Sequence, residues 1–196
     1  VAFLFALILL VRPCNAGPTP FGVLSVLFVI ANIPYALDDL AHPDSFATFF
    51  PAAVGVAAGI AGGVGLLGFR QRWSVRAAAR TGLAASVVLL LALGVGLYAT
   101  LTVEDDSAQE GDLALATDGT DWVPDHLTAS AAGDVAVFIQ NQDPFRHTFT
   151  IDGLGVDVEL PADTDRRATF TADAGEYEFR CTVPGHEDMT GTLTVP

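Results

Sequence analysis

Between Cys181 and Met189, a span of nine residues, the chain places a thiol, the imidazole of His186 and a thioether. Cys, His and Met together are a soft-to-borderline donor set that suits copper. Two imidazoles and one thiolate with a long axial thioether form a site in which copper exchanges single electrons with little rearrangement. Such a site needs a second histidine from elsewhere in the fold, and His147, in the run Asn141-Gln-Asp-Pro-Phe-Arg-His147, is the candidate supplier. Taken alone, Cys181 reads as a buried inert thiol. In register with His147, His186 and Met189 it reads as a ligand, bound as the thiolate. A catalytic copper held by histidines alone would need more of them than the four the chain contains, and His126, after a Pro-Asp turn, is read as lying outside the site.

The elements that carry these residues are short strands. Val135, Val137 and Ile139 alternate. Past a turn at 141–144, His147, Phe149 and Ile151 share a core-facing side, with Thr148, Thr150 and Asp152 on the other. Tyr177, Phe179 and Cys181 face one way and Glu176, Glu178 and Arg180 the other, so the thiol points inward at a strand end. With Val156 and Val158, a strand over 167–171 and a closing strand over 192–195, residues 121–196 hold seven or eight short strands and no helical pattern. That is an all-β Greek-key sandwich or barrel, with Trp122 and Phe138 expected in its core.

Residues 121–196 resemble a small cupredoxin of the plastocyanin, halocyanin and amicyanin type. The features that carry the resemblance are Gly133-Asp-Val before a strand, Asn141 and Asp143 ahead of His147, and the run Gly175-x-Tyr177-x-Phe179-x-Cys181. Pro184-Gly-His186 follows, then Met189 and Gly191. The resemblance implies one mononuclear copper with His147, Cys181 and His186 as equatorial ligands and Met189 as the axial one. The ligand loop here is Cys-x4-His-x2-Met, its last step at the short end of the family's range. The binuclear copper domain of cytochrome oxidase needs two cysteines in this loop, and this loop has one. Asn141 is a candidate to pin the ligand loops by hydrogen bonds, and Pro184-Gly185 to stiffen the turn carrying His186. The His186 ring edge is the expected electron portal, with Val183, Pro184, Pro144 and Phe145 as an apolar docking patch.

The first half differs in character. Residues 1–102 carry five Arg and three Asp, a net charge of +2, whereas 103–196 carry 20 acidic residues and four Arg, a net of −16. Apolar runs fall at 1–11, 21–37, 46–69 and 80–101. A helix needs about 20 apolar residues, and at least ~17, to span a bilayer. The expectation is about four transmembrane helices, the first truncated in a chain that begins at Val. The loop 70–80, with four Arg, is expected in the cytoplasm, and the Arg-free loop 38–44 outside. The fourth helix then delivers the sandwich to the extracytoplasmic face, and Cys14 and Cys181 fall on opposite sides of the membrane. Gly55-xxx-Gly59 gives the third helix a small-residue face for a helix partner. The expected organisation is a transmembrane region 1–102, an acidic flexible linker 103–120 and a copper domain 121–196, with Leu113 and Leu115 placed to begin a first strand.

The acidity excludes nucleic acid as a partner and favours proteins with basic docking surfaces. The functional expectation is a multi-pass protein of the cell membrane, in contact with lipid, whose extracytoplasmic blue copper domain carries single electrons between redox proteins without catalysing a reaction. The alternatives are a copper-binding protein of metal homeostasis and the cupredoxin domain of a larger membrane redox enzyme.

Overall fold

The computed structural model describes residues 19–70 and 74–196. The apolar run 1–11, Arg12, Cys14 and Arg72 lie outside the described residues. The chain forms two compact units. The described parts of 19–40 and 50–94 make up one; Ala41–Phe49 and Val95–Pro196 make up the other.

The first unit is helical. Helix α1 spans Thr19–Ala41, α2 Phe46–Arg70 and α3 Val75–Leu101; the end of α1, the start of α2 and the end of α3 belong to the second unit. The second expected span, 21–37, is thus observed as helix. Ser74 caps α3: its Oγ accepts the Ala77 N–H at 3.3 Å, satisfying one of the unpaired amides of a helix start. Among the described residues, the segments Phe46–Val64 and Ala79–Leu101 are long and apolar enough to cross a membrane. Large apolar side chains such as Leu83, Val88, Leu90 and Leu91 stand exposed along α3.

The second unit contains a two-sheet sandwich. Its strands are β1 Leu113–Asp118, β2 Asp121–Val123, β3 His126–Thr128, β4 Gly133–Asn141, β5 His147–Ile151, β6 Val156–Leu160, β7 Thr164–Ala172, β8 Gly175–Arg180 and β9 Thr190–Val195. One sheet runs β2-β1-β4-β7 and the other β3-β9-β8-β5-β6. Alternation decides what is buried. Val135, Val137 and Ile139 of β4 meet Phe149, Ile151, Phe179, Leu193 and Val195 from the opposite sheet, with Trp122 and Leu115 completing the core.

Three expectations are corrected. Leu113 and Leu115 do lie in a first strand, β1, as expected, but the acidic residues before it, expected as a flexible linker, are held to the sheet. β7 is an edge strand, so its outward amides need acceptors. Asp105 Oδ1 accepts the Asp165 N–H at 3.0 Å, Asp106 Oδ2 accepts the Arg167 N–H at 2.9 Å, and the Arg167 guanidinium forks onto Asp112 at 2.8–3.1 Å. That fork holds the Asp112 carboxyl below its usual range. Phe138 alternates out of phase with the β4 core residues and is only half-buried. Thr148 and Thr150, expected on a polar face, are buried along with every other residue of β5.

Gly191 on β9 is a packing constraint. A Cβ there would lie 2.3 Å from the Phe179 ring and 2.7 Å from the Asp125 carbonyl oxygen. Neither a core ring nor backbone can give way cheaply. Gly191→Ala is expected to destabilise the sandwich by about 2 kcal/mol or more, read as a lowered thermal unfolding midpoint. Gly153→Ala, whose Cβ would meet only Tyr177 at 3.8 Å, is the control and should change little.

Candidate metal centre

Cys181 follows β8 directly, and the alternation that buries Phe179 also buries its thiol. The chain then loops out and returns. The Cys181 N–H donates to the Met189 carbonyl at 3.0 Å, closing the loop at its neck, and the Trp122 indole Nε1–H donates to the same oxygen at 3.2 Å. Within the loop, the His186 N–H donates to Val183 O at 3.0 Å and the Met189 N–H to His186 O at 2.9 Å. Gly185 sits at φ 93°, a left-handed conformation that glycine adopts without steric cost. Its N–H donates to Glu187 Oε1 at 3.0 Å. The turn aims His186 back at the strand end.

His147 opens β5 and is wholly buried. Its Nδ1 lies 3.8 Å from Cys181 Sγ, and His186 Nδ1 lies 3.6 Å from the same sulfur. The two imidazole centroids are 4.8 Å apart, and Phe145 packs within 5.2 Å of one and 5.4 Å of the other. Among the described residues, His147, Cys181 and His186 form the group able to hold a metal ion, with ligand atoms all within 4.8 Å of one another. The spacing can be tested against metal chemistry. An ion about 2.3 Å from sulfur and about 2.0–2.1 Å from nitrogen, in a trigonal arrangement, requires sulfur-to-nitrogen separations of roughly 3.7–3.8 Å. The observed 3.6 and 3.8 Å fit. Met189 is 1% exposed, and its backbone is bonded to both His186 and Cys181.

The surrounding bonds dictate the state of the donors. Asp143 Oδ2 lies 3.1 Å from His147 Nε2. A carboxylate oxygen accepts, so Nε2 carries the proton and the Nδ1 lone pair faces the sulfur. Burial opposes the Asp143 charge, but the Thr117 hydroxyl, the Gly119 N–H and His147 outweigh it and hold its carboxyl below the usual value. His147 itself is lowered from 6.5 to about 4, chiefly by burial and then by repulsion from His186, with Asp143 pulling the other way. His186 is lowered too, first by burial. Both rings are therefore neutral at ordinary pH, as metal ligands must be.

Asn141 does pin the loops. Its Nδ2 lies 2.8–3.0 Å from the carbonyls of Phe145, Leu160 and Pro161, and its Oδ1 accepts from Thr117 Oγ1 and the Asp143 N–H, both at 3.0 Å. His126 is exposed and touches only Thr128, outside the group. Val183 is corrected: it is buried in the core and offers nothing to a docking patch, whereas Pro144 and Pro184 are exposed. The sequence reading missed Thr148, whose N–H donates to Cys181 Sγ at 3.4 Å. Its position directly after a candidate ligand was the available signal. It also gave Asp143 no role, although a carboxylate four residues ahead of a buried histidine was in view.

A sequence model of the cupredoxin-like domain matches residues 88–195, and the chain belongs to that family. Copper, one ion per domain, is the cofactor of this family, and the donor set here suits it. Solved structures to which the chain is similar include an amicyanin and two auracyanins. A reduced amicyanin mutant is 16% identical, covering 46% of this chain and 87% of its own, with a TM-score of 0.38. Auracyanin A of Chloroflexus aurantiacus is 21% identical over 43% of this chain and 98% of its own, with a TM-score of 0.38. The auracyanin of Roseiflexus castenholzii is 18% identical over 45% and 99%, with a TM-score of 0.39. No curated protein matches the chain.

Two predictions follow from these bonds. Asp143→Asn can present an amide donor to His147 Nε2 and so favour the wrong tautomer; metal affinity should fall roughly 10–100-fold in competition titrations. In the metal-free protein, His147 stays neutral in the fold down to about pH 4, whereas in the unfolded chain it gains a proton near 6.5. The unfolded state then binds more protons across that window, so stability falls on acidification. The loss from His147 should reach roughly 2–3 kcal/mol by pH 4, measured by denaturant midpoints, and should be clearly smaller in His147→Gln, where His186, lowered too, still contributes in the same sense.

Proposed function

We propose that this protein is a membrane-anchored blue copper electron carrier whose copper domain works outside the cytoplasm, with His147, Cys181 and His186 as equatorial ligands and Met189 as the axial one. The observation that carries the reading is the convergence of two neutral, buried or half-buried imidazoles on one buried thiol at 3.6–3.8 Å. Copper bound there supplies a one-electron couple between Cu(I) and Cu(II).

The chain's own residues do the rest. Asp143 holds the proton on His147 Nε2. The Cys181–Met189 backbone bond holds the loop shut, and the Thr148 N–H offsets charge on the sulfur. Half-exposed His186, flanked by Phe145 and the exposed Pro144 and Pro184, is the portal at which a partner makes contact. Glu187 and Asp188 stand exposed beside it, so the rim suits a redox protein with a basic docking surface.

The apolar helices support anchoring in lipid. The reading retains four spans, the Arg-rich loop 70–80 in the cytoplasm, a helix-packing face at Gly55 and Gly59, and a division into membrane region 1–102 and copper domain 121–196, with the intervening acidic segment laid against the sandwich. Protein in detergent, loaded with Cu(II), should show an intense visible sulfur-to-copper absorption and a narrow-hyperfine EPR signal, both lost in Cys181→Ser. A colourless wild type that still binds Cu(I) would replace this reading with copper storage or delivery.

A further inference from the structure

Beyond the ligands, a row of hydroxyls runs from the surface of β6 to the sulfur. Asp157 is exposed and sits opposite Thr150 in the β5–β6 register. Thr150 Oγ1 donates to Asp157 Oδ1 at 2.8 Å. The next contact inward is Thr150 Oγ1 to Thr148 Oγ1 at 3.4 Å. Thr148 Oγ1 accepts the Thr182 N–H at 2.8 Å, lies 2.9 Å from Thr182 Oγ1, and lies 3.9 Å from Cys181 Sγ. Thr148 and Thr150 are both buried, so bulk water does not compete for these protons.

The proton count gives the row a direction. A carboxylate oxygen only accepts, so the Thr150 proton is committed to Asp157, and Thr150 offers Thr148 nothing but lone pairs. Thr148 already accepts an amide proton. Its second lone pair is open to the Thr182 hydroxyl, which leaves the Thr148 proton for the sulfur at 3.9 Å, beside the Thr148 N–H. Were Thr150 released from Asp157, it would donate inward to Thr148 and fill that lone pair, so the Thr148 proton would turn to Thr182 Oγ1 and leave Sγ. An added donor to the sulfur withdraws negative charge from it and favours the reduced, less positive metal.

We propose that Asp157 and Thr150 are positioning residues that set, from the surface, how many protons the Cys181 sulfur receives, and thereby the reduction potential of the site. The proposal rests on the copper reading above. Asp157→Asn puts an amide donor where the carboxylate stood and should reverse the row. The sulfur then loses a donor, and the expected result is a lower potential, equivalent to about a threefold to tenfold fall in the equilibrium constant for reduction.

Removing a negative charge acts through space in the opposite sense and raises the potential, so the test is a cycle with Thr150→Val. It is run on the full-length protein in about 1 M salt, where charges beyond roughly 3 Å are screened. Asp157→Asn should lower the potential in the wild-type background and leave it nearly unchanged in Thr150→Val. Thr150→Ser, which keeps the hydroxyl, should restore the effect and keeps the cycle usable if the valine variant folds poorly. The sulfur-to-copper absorption band should move with the potential in the same variants. Equal shifts with and without the Thr150 hydroxyl would overturn the row while leaving the electron carrier intact. A wild type without the absorption band would take down both.

Discussion

The structure turns on the burial of a neutral imidazole beside a buried thiol. His147 and Cys181 have almost no contact with water, and the groups His147 Nδ1 faces are a sulfur and a second imidazole. Polar groups placed out of water without full partners cost free energy. A fold that accepted this for no return would be expected to fill the space with an aliphatic side chain instead. The cost is offset where an ion takes up the lone pairs, and the surrounding hydrogen bonds are arranged to keep those lone pairs available.

Two clamps maintain the arrangement, and each couples sheet to loop. One is the loop neck, where the Met189 carbonyl takes both the Cys181 amide and the Trp122 indole. Trp122 also stacks edge-on against Phe149 and Phe179, so the neck is tied to the centre of the core. The other is Asn141, which gathers the 145 and 160–161 carbonyls and the Asp143 amide around one side chain. A third element is Arg146, buried next to His147, with NH1 3.0 Å from Glu159. The site is thus formed where β4, β5, β6 and β8 end, and each strand contributes either a donor or the bond that orients one.

How much of this was legible in the sequence depended on range. The period-2 runs around Val137, Phe149 and Phe179 gave the strands and their inward faces, because burial on one side of a sheet writes itself into alternate residues. The donors were legible because Cys, His and Met so close together have few other uses. What the sequence did not disclose were contacts between residues far apart in the chain. Thr148 and Thr150 look like solvent-facing members of an alternating strand, yet β5 lies between β6 and β8, and Thr182 and Asp157 cover its outer side. The acidic run before β1 reads as a solvated tether by composition. Its partners are the amides of an edge strand some 60 residues on, and no local pattern announces them. Phe138 was misjudged because hydrophobicity was allowed to outrank phase: it alternates with Val137 and Ile139 and must face the other way.

Rigidity connects the fold to the chemistry proposed. An electron carrier is fast when the surroundings of its metal need not move as the charge changes. Here the loop is held by three backbone hydrogen bonds among Cys181, Val183, His186 and Met189, and by the Trp122 indole. The His147 tautomer is held by a carboxylate itself anchored to the Gly119 amide at 3.0 Å. None of these bonds involves a group that must gain or lose a proton when an electron arrives, so neither oxidation state is favoured by rearranging them. Adjustment is left to the hydroxyls behind the sulfur, whose protons can rotate without displacing a heavy atom. A site built this way separates its two tasks. The backbone and Asn141 set the geometry, and the small rotatable groups on β5 and β6 set the charge that the sulfur presents.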